Sequence, residues 1–315
     1  MFYKSNDFDT NILEVEEKYS PWQLIMLLLC AVGIGAITGT LIIYLLSFVT
    51  KIDARNLTDV LQNMNFDNRN FVRLILFINH FLMFCLPIVI LSWIIFRASW
   101  AKYLGLTQRP QAKWLVMGAL LLLVSMPFIQ YVYALNQQLS LPSFMKNAED
   151  SMDNALKGLL VYDNSIELIF NILVIALVPA LGEEMIFRGW IQRQLMRIIN
   201  RPHAAIWASA AIFSAIHFQF LGFLPRLLLG VLLGYLYFWT GSLWVSIFAH
   251  FLNNGLQVIA QYFFRVEFEK MDENQAQIPM YMAFLSLGLC FIICKYFLDN
   301  VTSNNKIFNQ KEPMI

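Results

Sequence analysis

Roughly 20 consecutive, mostly apolar residues are enough for a helix to cross the hydrocarbon core of a bilayer. This chain offers such a run near 22–49, 71–96, 114–134, 166–187, 203–222, 224–240, 242–264 and 279–298. The expected fold is therefore all-α, a polytopic membrane helix bundle with about eight transmembrane helices. Of its residues 58% are hydrophobic and 14% charged, against roughly 25% charged in an average soluble domain.

The sequence divides accordingly into an N-terminal segment 1–21, three helices over 22–134, a linker 135–165, a core with the last helix over 166–298, and a tail 299–315. Asp7, Asp9, Glu14, Glu16 and Glu17 precede the first apolar run, unlike the basic start of a signal peptide, so the N-terminus is expected to be retained. Arg97, Lys102, Arg109 and Lys113 follow the second run, and Arg188, Arg193, Arg197 and Arg201 follow the fourth, whereas 135–165 carries Glu149, Asp150, Asp153 and Asp163. The positive-inside rule puts both basic loops in the cytoplasm, and with them both termini of a multi-pass protein of the cell (plasma or inner) membrane. With a net charge of +1 and dispersed basic residues, no nucleic-acid partner is implied. Cys30, Cys85, Cys290 and Cys294 lie in apolar segments and read as small apolar residues, with no disulfide framework.

Two glycine pairs, Gly35 with Gly39 and Gly230 with Gly234, predict close helix approach. Ser143 to Leu160 reads as a short amphipathic helix at the membrane surface. The tail from Asn300 reads as a loose end.

Against this apolar background Leu181-Gly182-Glu183-Glu184-Met185-Ile186-Phe187-Arg188 stands out. An ionisable group at the centre of a bilayer helix costs about 2.5 to 3.5 kcal/mol, so such residues pair, face a bundle interior and mark function. Glu184 and Arg188 are four apart and share a face, which predicts an ion pair. Glu183, turned about 100° away, lacks a local cation and is the better general base.

If the chain reverses at Asn200-Arg201-Pro202, Glu183 and His217 are each seventeen residues from Asn200. At 1.5 Å per residue both lie about 25 Å from the turn, at matched depth in an antiparallel hairpin. His250 and Asn254 share a face on a later helix; they can serve an oxyanion or, through His250, a metal, or form an interhelical hydrogen-bond pair. Asn253 reads as a packing contact and His80, without a partner in sequence, as a core residue. Neither a Ser-His-Asp set nor His-Glu-x-x-His occurs. One glutamate, two histidines and an asparagine from three helices suit deprotonation of water and peptide hydrolysis.

These residues resemble the three motifs of the CPBP intramembrane proteases, relatives of the CaaX prenyl endopeptidases and of bacteriocin-processing or immunity proteins. Glu183-Glu184 with Arg188 is similar to Glu-Glu-x-x-x-Arg, Phe213 to His217 to Phe-x-x-x-His, and His250 to Asn254 to His-x-x-x-Asn, with the lead-in Trp-Thr-Gly-Ser-Leu-Trp at 239–244. The resemblance covers about 166–257. It implies an intramembrane endopeptidase with Glu183 as general base, His217 helping to activate the water, His250 and Asn254 as oxyanion hole, and Glu184 with Arg188 in support. The partners implied are the lipid bilayer and a membrane-associated peptide or protein substrate. Zinc held by His217, His250 and Glu183 would make the protein a metalloprotease, but would compete with Glu183 for its role as base, so a metal-free mechanism is preferred. The other readings are a non-catalytic scaffold or immunity protein, and an ion-coupled transporter; no clear two-fold repeat or pair of broken helices supports the last.

Overall fold

In the computed structural model, residues 10–52, 65–270 and 278–304 are described; Asp7, Asp9 and the tail beyond Asn304 lie outside them. Among these residues the regular structure is helical throughout. A short helix α1 (Thr10–Lys18) leads into α2 (Pro21–Thr50), which opens on a capping box between Ser20 and Gln23. Next come α3 (Phe66–His80), a π-helical turn Phe81–Cys85, α4 (Leu86–Phe96) and α5 (Trp100–Tyr103), then α6 (Ala112–Asn136) and α7 (Ser143–Leu159). The long fourth pass is composite: α8 (Ser165–Asn171), a π segment Ile172–Leu177, α9 (Val178–Glu184), a second π segment Met185–Ile191 and α10 (Gln192–Ile199). The chain ends with α11 (Pro202–Ala215), α12 (Phe223–Thr240), α13 (Leu243–Lys270) and α14 (Met280–Asn304).

Among the described residues seven helical stretches are long and apolar enough to cross a bilayer. The eighth expected span, 203–222, is shorter than its apolar run: α11 stops at Ala215 and 216–222 form turns. The pass nevertheless runs from one loop face to the other. Its start follows Asn200, which closes α10 in the left-handed conformation at φ 55°, and Pro202 opens α11 without an N–H to satisfy. At its far end, Asn136 Nδ2, at the close of α6, donates to the carbonyls of Phe220 (3.2 Å) and Leu221 (2.7 Å).

The loops sort onto the two faces as the charge pattern predicts. Arg197 donates to the carbonyls of Glu16 and Tyr19, Arg193 to that of Tyr103, and Leu243 N–H to Gly105 at 3.1 Å, so α1, both basic loops and the Gly241 turn share one face. On the opposite face α7, the expected amphipathic helix, is tied down at its end and near its middle. Leu159 O accepts from Arg73 (3.2 Å) and Asn171 (2.8 Å), while Glu149 accepts from the N–H groups of Phe220 and Leu221. Asn300, where the loose end is expected to begin, is still helical, because α14 continues to Asn304.

Both glycine pairs do what their spacing predicts. A Cβ on Gly35 would lie 1.9 Å from the carbonyl oxygen of Leu82, so α2 rests directly on the π turn after His80. On α12, Gly230 and Gly234 give their carbonyls to Arg188 (2.9 Å) and Gln192 (3.1 Å), and a Cβ at either would press on α11 at Ala210 or Ile206. All four cysteines are free.

Candidate active site

Three π segments occur among the described residues, and each touches a polar residue of the candidate site: His80 and Glu183-Glu184 by adjacency, Asn254 through its bond to Ile175 O. A π turn carries an extra residue, re-aims the side chains beside it and is frequent at functional sites. His80 is the last residue before the first, Ile175 lies inside the second, and Glu183-Glu184 directly precede the third.

The two glutamates occupy different surroundings, as their positions on the helix require. Glu184, fully buried, accepts from Arg188 Nη1 at 2.8 Å through Oε1. Arg188 also stacks over the Phe213 ring, 4.8 Å from its centroid. The same Glu184 oxygen takes His250 Nδ1 at 2.8 Å. A carboxylate only accepts, so Nδ1 carries the proton and Nε2 is the free end of the ring. That end points toward Glu183, 3.8 Å from Oε2, beyond direct hydrogen-bond reach. Glu183 Oε1 lies 3.2 Å from His80 Nε2. His80, expected to be a partnerless core residue, is thus a neighbour of the candidate base.

The hairpin register behaves as expected up to its end. Phe187 and Phe213 are each thirteen residues from Asn200, and their rings meet edge to face at 5.1 Å. Ser209 Oγ ties the two helices by donating to Phe187 O at 3.2 Å. His217, however, follows the last turn of α11 rather than continuing it. Its Nδ1 donates to Phe213 O at 2.8 Å, leaving Nε2 as an acceptor, and no direct ion pair or hydrogen bond joins it to Glu183.

Asn254 sits one turn beyond His250. Its Nδ2 donates to Ile175 O at 3.1 Å and its Oδ1 accepts from Asn253 Nδ2 at 3.0 Å. Asn253, expected only to pack, thereby fixes the orientation of its neighbour's amide, which keeps one N–H unengaged.

Among the described residues no three His, Cys, Asp or Glu groups are arranged to hold a metal ion. As placed, His217, His250 and Glu183 do not fit the three-ligand zinc site of the sequence expectation.

A second polar cluster went unnoticed in the sequence. Arg73 donates to Asn171 (2.8 Å) and Glu167 (2.9 Å), and Arg69 pairs with Asp163 and Glu167. Arg69, Arg73, Glu167 and Asn171 are buried. The available signal was opposite charge at the near ends of two apolar runs, Arg73 in one and Glu167 in the other.

Comparison with known proteins bears on the same region. Residues 165–256 match the family model described as type II CAAX prenyl endopeptidase Rce1-like. The uncharacterized protein YpbD of Bacillus subtilis (strain 168) is 33% identical over 108 residues, 33% of this chain and 52% of that protein. The chain thus spans about half the length of this relative. No solved structure matches.

Proposed function

From the match of residues 165–256 to the family model described as type II CAAX prenyl endopeptidase Rce1-like, we propose that this multi-pass membrane protein is an intramembrane endopeptidase. It hydrolyses a peptide bond of a membrane-associated peptide or protein, with both of its own termini in the cytoplasm. The observation that carries the reading is Glu183, a buried carboxylate bonded to His80 while the adjacent Glu184 is committed to Arg188 and His250.

In the proposed reaction Glu183 takes a proton from a water molecule, and His217 Nε2, kept as an acceptor by the Nδ1 bond to Phe213, orients that water. The hydroxide adds to the scissile carbonyl carbon, whose oxygen takes the negative charge. Asn254 offers its unengaged N–H to that oxygen. His250 already donates through Nδ1 to Glu184, so it can donate through Nε2 as well only as the imidazolium. Glu183 then returns the proton it took from water to the amide nitrogen, the C–N bond breaks, and an acid and an amine are released with the carboxylate restored. No step requires a metal.

The test uses the full chain in proteoliposomes with a library of quenched fluorogenic lipopeptides. Glu183→Gln keeps the shape and removes the base, and it is expected to abolish cleavage while leaving thermal unfolding of the purified protein unchanged. Cleavage by this variant at the wild-type rate would refute the reading.

A further inference from the structure

His80 lies outside the three motif helices, yet the fold builds a place for it beside Glu183. Its ring stacks on Phe84, one turn on, with centroids 5.3 Å apart. The π turn that follows it is pressed from two sides by glycine. Gly35 meets Leu82 O, while at Gly182, one residue before Glu183, a Cβ would come within 2.8 Å of Phe84 Cβ and Cys85 Sγ. The His80 and Glu183 segments therefore touch closely, and neither can shift without the other.

Direction follows from chemistry: a carboxylate only accepts, so His80 Nε2–H donates to Glu183 Oε1. His250 makes no such bond, since it is spent on Glu184 and stands 3.8 Å from the other oxygen. Among the described residues His80 is the hydrogen-bond donor to Glu183. Its side chain is 26% accessible against 6% for Glu183, so the donor is the more exposed member of the pair.

We propose that His80 is the positioning residue for the general base. The bond to Oε1 stops rotation of the Glu183 carboxylate and holds Oε2 on the His250 side, toward the attacking water. This rests on the endopeptidase reading and extends the working site to a helix before residue 165, outside the family match. A base held loosely deprotonates water from fewer of its orientations, so the loss falls on turnover and not on substrate binding.

Two substitutions separate the donor from the ring. His80→Phe keeps the stack on Phe84 and removes the N–H; His80→Gln places an amide N–H near the position of Nε2. In the proteoliposome assay His80→Phe is expected to lower kcat about 10- to 100-fold with KM unchanged, and His80→Gln to recover most of that loss. Wild-type kcat in His80→Phe, or equal impairment of both variants, would overturn the assignment. Glu183→Gln is run alongside. If it is inactive while His80→Phe is fully active, the positioning role fails and the endopeptidase reading stands; if Glu183→Gln is fully active, the reading itself fails.

Discussion

Asn254 donates its side-chain amide to the carbonyl of Ile175 at 3.1 Å, across from α13 to the second π segment. Pro179, in the first turn of α9, has no N–H to give that carbonyl an i to i+4 bond, and the Asn254 amide supplies a donor there. An open carbonyl within a bilayer span costs free energy unless a neighbour supplies a donor, and Asn254 is that neighbour.

Asn254 therefore carries a structural task besides any catalytic one. Asn254→Ala is expected to lower stability by about 1 kcal/mol, the net contribution of a hydrogen bond to a part-buried acceptor. Thermal unfolding in detergent measures this. Asn254→Ala combined with Pro179→Ala, which restores an N–H at 179, is expected to regain much of the stability without regaining activity.

Arg188 balances the buried Glu184 charge and holds the Gly230 carbonyl. Arg188→Met leaves a carboxylate unpaired in a fully buried setting, with an expected loss of about 3 to 5 kcal/mol. Chemical or thermal unfolding, together with the yield of folded protein, reads this loss. Arg188→Lys is expected to fall between, since lysine cannot serve Glu184 and Gly230 with a planar fork.

Gly35 is the closest approach of α2 to the site. Its missing Cβ would sit 1.9 Å from a backbone oxygen, which cannot yield as a flexible side chain can. Gly35→Ala is expected to cost about 1 to 3 kcal/mol through overpacking and to reduce kcat by displacing the His80 segment. Gly33→Ala, where a Cβ meets nothing within 4 Å, is the matched control and is expected to change neither.

Glu149 reaches from α7 to the N–H groups of Phe220 and Leu221, at 2.9 and 3.2 Å, in the turn that carries His217. Bonds to a charged group contribute about 1.5 to 3 kcal/mol each. Glu149→Ala is expected to free that turn and lower kcat about tenfold, with helix content by circular dichroism unchanged.

Metal dependence is checked directly. With the three expected ligands not converging, elemental analysis of active protein is expected to find less than stoichiometric zinc, and chelators to leave the rate unaltered.

Much of this architecture was legible because membrane insertion writes it into composition. Apolar runs of spanning length, basic loops and the Asn200-Arg201-Pro202 reversal lie in consecutive residues, and the Glu184–Arg188 pair needed only the helical repeat. The hairpin register was legible to Phe187 and Phe213; the end of α11 was not, because it is set by the turn that Asn136 and Glu149 hold and not by hydrophobicity.

The sequence by itself determined an all-helical membrane bundle, the pairing of its loops on two faces, and the glycines that let helices touch. Only the tertiary structure decided who meets Glu183. His80 is 103 residues away in the chain, and no periodicity links positions on separate helices. Their meeting depends on three π turns and on the Gly35 and Gly182 contacts. The same physics gave Asn253 and Asn254 their bonds: a carbonyl that receives no N–H from Pro179 is paired by whichever helix packs against it.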